Sequence, residues 1–143
     1  MAKSRKYSHR NFESKTERGK YTKVCNDMME SIAWNALDLR QRGLYLQLKA
    51  KYTQIVLNGN IISDNAENIS IPKSEATSLY GNLKTFRKDM DKLIECGFIK
   101  MVQCGWNTRT VNIYGFSERW KEYGMSGYNV PENEKRTHKT KAI

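Results

Sequence analysis

"GNLKTFRKDMDKLIECGFIKMV", residues 81 to 102, is the stretch on which the fold of this chain turns. With Leu83 as origin and about 100° per residue, Leu83, Phe86, Met90, Leu93 and Ile94 fall within an arc of about 100°, the width of a core-facing helical stripe. Lys84, Thr85, Lys88 and Lys92 point away from that stripe, and Arg87 lies at its flank. Gly97 ends the pattern, and "FIKMVQ" beyond it is strand-like. The stretch therefore predicts a turn, an amphipathic helix, a stop and a strand.

Upstream, "PKSEATSLYG" starts with Pro72, whose missing N–H is harmless at the first helical position, and stops at Gly81. Ala76, Leu79 and Tyr80 give this short helix an inward side. Further back, Asp38 and Gln41 have the spacing of a capping box. Leu44, Leu48, Tyr52 and Ile55 then recur at helical spacing, so a scaffold helix is expected to run to "LNGN", where Asn58-Gly59 suits a tight turn. "NIISDNAENISI" predicts short extended pieces around a loop, anchored by Ile61, Ile62, Ile69 and Ile71. The segment "TQIVLNGNIISDNAENISI" is longer than a compact helix-turn-helix needs. Nearer the start, "YTKVCNDMMESIAWNAL" predicts an extended entry and one or two helical turns. It offers Val24, Met28, Met29, Ile32, Trp34 and Leu37 to a core.

Downstream, "CGWNTR" separates "FIKMVQ" from "TVNIYGF", the pattern of a hairpin with Phe98, Val102, Val111 and Ile113 as apolar partners. "SERWKEYG" then forms a short helix that lays Trp120 and Tyr123 on the body.

A chain of 143 residues suits one domain with tails. The expected division is a flexible basic arm over 1–19, a domain over 20–124 and a flexible polar and basic tail over 125–143. The net charge is +10, of which +6 lies in residues 1 to 23 and only +2 in residues 24 to 127. Basic arms attract phosphate backbones without sequence preference, and they also serve solubility alone. No apolar run approaches the roughly 20 residues of a spanning helix, and the N-terminal residues lack the apolar stretch of a secretory signal. A cytoplasmic location and no membrane partner are expected.

Cys25, Cys96 and Cys104 show no C-x-x-C spacing, so free thiols are expected rather than a disulfide framework or a zinc site. His9 and His138 lie in the tails, and Asp89 and Asp91, two apart on a helix, face different ways. No phosphate-binding or dinucleotide fingerprint is present. The expectation is a protein that is not an enzyme and needs no metal or cofactor.

Helix, short helix, glycine turn, amphipathic helix, glycine and hairpin follow in the order of a winged helix-turn-helix, an α+β fold. In that architecture the second helix of the motif enters the DNA major groove and the hairpin forms a wing beside it. From "AWNALDLRQRGLYLQLKAKYT" through "IPKSEATSLYGNLKTFRKDMDKLIECGFIK" to "NIYGFSERWKEYG", the chain resembles winged-helix proteins carried by plasmids, phages and integrative or conjugative elements of low-GC Gram-positive bacteria. The resemblance covers roughly residues 20 to 124. It implies double-stranded DNA binding in replication initiation, conjugative transfer or transcriptional regulation, without choosing among them.

Lys84, Thr85 and Lys88 stand where base edges would be met; lysine donates to guanine, and threonine donates to a base or touches a thymine methyl. Asn82 at the turn suits a phosphate or a base, and Arg87 and Lys92 suit phosphates. Trp106, Asn107, Thr108 and Arg109 are expected at the wing tip, where an arginine can enter a narrow minor groove. Lys3, Arg5, Lys6 and Arg10 form an arm that can track the backbone. Against this stands an ordinary solvated face, because Asp89, Asp91 and Glu95 share the helix and carboxylates near phosphates weaken binding.

A winged-helix module that docks to a replication or transfer complex is the alternative, favoured by the near-neutral centre of the chain. Single-strand or RNA stacking on Trp106 is a weaker third. A homodimer is compatible with either main reading, with residues 24–37 and 117–123 as its expected surface.

Overall fold

The computed structural model describes residues 21–105 and 109–136. Among them are five helices and two antiparallel two-stranded sheets, a mixed α+β arrangement. In chain order these are α1 (Asn26–Met29), α2 (Ile32–Asn35), α3 (Leu39–Lys49), β1 (Gln54–Leu57), β2 (Asn60–Asp64), α4 (Lys73–Tyr80), α5 (Leu83–Glu95), β3 (Ile99–Gln103) and β4 (Ile113–Phe116).

The amphipathic pattern of α5 decides how the elements pack. Phe86, Met90, Leu93 and Ile94 are buried and Leu83 packs against them. Asp38 caps α3 through the reciprocal bonds of a capping box with Gln41, and Leu44, Tyr45 and Leu48 reach the core from that helix. Aromatic rings hold the centre: Tyr45 and Trp34 lie 5.4 and 5.8 Å from Phe98, and Trp120 stacks parallel to it at 6.2 Å.

Two glycines frame α5. Gly81 (φ 81°) caps α4 and lets α5 start after a single intervening residue, Asn82. Gly97 (φ 88°) turns the chain from α5 into β3 where the backbone of Arg119 and Trp120 passes too close for a Cβ.

β3 pairs with β4, with a register irregularity between Met101 and Gln103. Ile69, between β2 and α4, bridges the other edge of β4, exchanging backbone bonds of 2.9 and 2.7 Å with Tyr114. The Ile69 segment thus lies beside β4 as a third extended piece, tying the chain before α4 to the hairpin after α5.

Several expectations are corrected. The scaffold helix ends at Lys49, and residues 54–57 form β1 rather than its continuation. Tyr52 and Ile55 extend the spacing of Leu44 and Leu48 by coincidence. Asn58 and Gly59 (φ 54° and 79°) do form the tight turn, but it joins two strands. Met29, Ile32 and Leu79 are exposed instead of inward, and so are Val102 and Val111 in and beside the second hairpin.

The tail expected from residue 125 starts later. Val130 is buried, Tyr128 donates to the carbonyl of Glu95 at 2.8 Å, and Arg119 grips Glu134 through two bonds. Residues 125–136 belong to the packed body. The arm over 1–19 lies outside the described residues. Among the described residues, no helix is long and apolar enough to cross a membrane.

Candidate nucleic-acid interface

The outward face of α5 is built from its start. Asn82 Oδ1 accepts from Thr85 N at 2.8 Å, so the Asn82 carbonyl serves as the cap, a contact that stabilises a helix by about 1 kcal/mol. Only the side-chain amide of Asn82 remains to meet a ligand. Lys84, Arg87 and Lys88 are exposed, and none has an ion-pair or hydrogen-bond partner among the described residues. Thr85 is half-buried rather than fully outward. Lys92 is half-buried, with its ammonium 3.7 Å from Glu95 in a loose surface pair.

The three carboxylates of α5 are each accounted for. Asp89 is fully buried: Arg40 donates Nε to Oδ2 at 2.5 Å and Nη2 to Oδ1 at 3.1 Å, Gln41 Nε2 donates to Oδ1 at 3.1 Å, and Tyr80 Oη donates to Oδ2 at 2.7 Å. Burial pushes the Asp89 carboxyl up, but the bonds from Arg40, Tyr80 and Gln41, with the charge of Arg40, outweigh it and hold the group below the usual carboxylate range. Burial and the bond to Asp89 push the Tyr80 phenol up, so it remains a donor. One carboxylate thereby fastens α3, α4 and α5 together.

Asp91 is gripped by Arg136, Nε to Oδ1 at 2.7 Å and Nη2 to Oδ2 at 2.8 Å. Its hydrogen bond to Asp91 raises the pKa of the Arg136 guanidinium. Glu95 has Lys92. Of these acids, Asp89 faces inward, while Asp91 and Glu95 stay exposed and each has a basic partner.

No family model, curated protein or solved structure matches the chain.

The loop of the β3–β4 hairpin is clasped at its base, where Gly105 N donates to Asn112 Oδ1 at 2.8 Å and Thr110 N to the Gly105 carbonyl at 3.1 Å. Arg109 is exposed at φ 55°, a left-handed turn conformation uncommon for arginine. Trp106, Asn107 and Thr108 lie outside the described residues, as do Lys3, Arg5, Lys6 and Arg10 of the arm.

Among the described residues no group of three or more His, Cys, Asp or Glu side chains could hold a metal ion. Cys25, Cys96 and Cys104 are free thiols. Sequence reasoning missed Arg40, Gln41 and Tyr80 as partners of Asp89, and Arg136 as the partner of Asp91. The one available signal was the place of Asp89 on the helical wheel, about 40° from the apolar stripe at 100° per residue.

Proposed function

We propose that this chain is a winged helix-turn-helix protein of a mobile genetic element that binds double-stranded DNA without catalysing a reaction. It would serve as an accessory factor in replication or conjugative transfer, or as a transcriptional regulator. In this reading α4 and α5 are the helix-turn-helix, α5 enters the major groove, and β3–β4 is the wing.

The observation that carries it is the charge on the first two turns of α5. Lys84, Arg87 and Lys88 are exposed and unpartnered among the described residues, while every carboxylate of the helix is buried or paired. Lys84 and Lys88 stand one turn apart, suited to adjacent base edges, and Arg87 at the flank suits a phosphate. The Ile69 bridge to β4 supports the fold reading, since it locks the start of α4 to the hairpin that follows α5.

The test is salt dependence of duplex binding. Contact with about five phosphates gives a log–log slope of roughly −4 to −5, shallower in the Arg87→Ala variant. No measurable binding, or a slope that Arg87→Ala leaves unchanged, counts against the interface.

The second reading, a module for protein association, is favoured by the exposed aliphatic hairpin β1–β2. It predicts that Lys84, Lys88 and Arg109 can be replaced without loss of partner binding.

A further inference from the structure

The first two turns of α5 present hydrogen-bond donors to the outside and leave acceptors out. From Asn82 to Lys88 the exposed side chains are Asn82, Lys84, Arg87 and Lys88. Lysine and arginine carry N–H donors and no acceptor. Asn82 carries both, but its Oδ1 is turned onto Thr85 N at 2.8 Å as the helix cap. That orientation takes apart the oxygen-and-amide pair with which asparagine reads adenine. What Asn82 still offers is the amide, which has no partner among the described residues.

The nearby side chains that can accept are turned away or already engaged. Asp89 is in the core, and Asp91, exposed about one turn beyond Lys88, has both oxygens held by Arg136 at 2.7 and 2.8 Å. Thr85, whose hydroxyl can accept, is half-buried and lies about 60° round the helix from Lys88. Glu95 stands about two turns further on, beside Lys92.

The bases of the major groove do not suit such a face equally. Guanine presents two neighbouring acceptors, O6 and N7. An A·T pair offers adenine N7 and thymine O4 with the adenine amino donor between them, and cytosine offers a donor alone. A face of donors therefore gains most at guanine and leaves an amino group unpaired at adenine or cytosine. Lys84 and Lys88, four residues apart, have Cβ atoms about 6 Å from each other, which spans roughly two base steps along a strand.

We propose that α5 selects guanine: Lys84 and Lys88 each donate to O6 and N7 of a guanine, and the pair of guanines lies on one strand, no more than about two base steps apart. The Asn82 amide adds a donor at the start of the helix, and Arg87 at the flank keeps to the phosphates. The assignment rests on the reading of α5 as the helix that enters the major groove, and it adds the bases that this helix prefers.

The experiment is selection from a random duplex pool by the full chain at about 150 mM salt. The enriched motif is expected to hold a pair of guanines at that spacing. Rebuilt with a guanine analogue in which a C–H group replaces N7, so that base pairing is kept and one acceptor is lost, the selected duplex should bind about tenfold more weakly. Lys88→Gln sets an acceptor beside a donor, the combination that fits adenine, and should exchange one guanine of the motif for adenine. A motif without the guanine pair, binding indifferent to the loss of N7, or a Lys88→Gln protein that keeps both guanines would each overturn the guanine assignment while sequence-specific duplex binding stands. A pool that yields no motif overturns the assignment together with the reading beneath it.

Discussion

Arg40 and Asp89, 49 residues apart in sequence, form a two-point ion pair with Nε–Oδ2 at 2.5 Å and Nη2–Oδ1 at 3.1 Å. The pair lies between the start of α3 and the middle of α5, and Tyr80 joins it from the end of α4. It sets where the outward face of α5 points, and it removes a carboxylate from that face.

Asp89→Ala should therefore destabilise the fold although it removes a buried charge. Tyr80 and Gln41 lose their acceptor inside the protein, whereas Arg40 is half-exposed and returns to water. The expected loss is about 2 to 3 kcal/mol, read from urea unfolding. A loss within experimental error would mean that the network does not hold the three helices.

The same network fixes a pH signature. Because the native Asp89 carboxyl is depressed, its stabilising contribution is fully present above the ordinary value of about 4 and is lost as pH falls through the lower native value. Arg40→Leu removes the bonds and charge of the guanidinium and leaves burial opposed only by the bonds from Tyr80 and Gln41, so the native carboxyl rises relative to the wild type. The stability gap between wild type and Arg40→Leu should be widest near neutrality and narrow on acidification. Unfolding curves at several pH values check this, and a gap independent of pH contradicts it.

Arg136 is expected to act on DNA binding through Asp91. Arg136→Ala uncovers the Asp91 charge on α5 and should weaken duplex affinity by about 1 kcal/mol. Adding Asp91→Asn to that variant should restore the affinity. Failure of the rescue would mean that Arg136 itself contacts DNA.

Gly97→Ala tests the joint between α5 and β3. A Cβ there meets the Arg119 and Trp120 backbone at a positive φ, so nothing flexible can yield. The expected cost is about 2 kcal/mol or more, measured as a fall in the unfolding midpoint, and a neutral substitution would show that the Arg119–Glu122 turn can shift.

Parts of this molecule were legible in its sequence for physical reasons. The α5 stripe and the Asp38–Gln41 cap are local patterns, set by residues within one or two turns of each other. β1–β2 was harder, because strands exposed on both faces show no alternation of apolar and polar residues. There Asn58-Gly59 between two aliphatic runs was the stronger signal, and the chance spacing of Tyr52 and Ile55 obscured it. The partners of Asp89 and Asp91 were out of reach, since Arg40 and Arg136 arrive from 49 and 45 residues away. Val130 was hidden in a polar stretch whose few apolar residues form no period.

The most direct measurement is selection of random duplex DNA by the full-length protein and by its Lys84→Ala/Lys88→Ala variant, at about 150 mM salt, where non-specific contacts are already weakened. Each lysine that reads a base should contribute about 1 to 3 kcal/mol. An enriched motif is expected for the wild type, with its loss or relaxation in a variant that unfolds at the same midpoint. No enriched motif, or the same motif recovered by both proteins, would contradict the assignment of α5 as the reading helix.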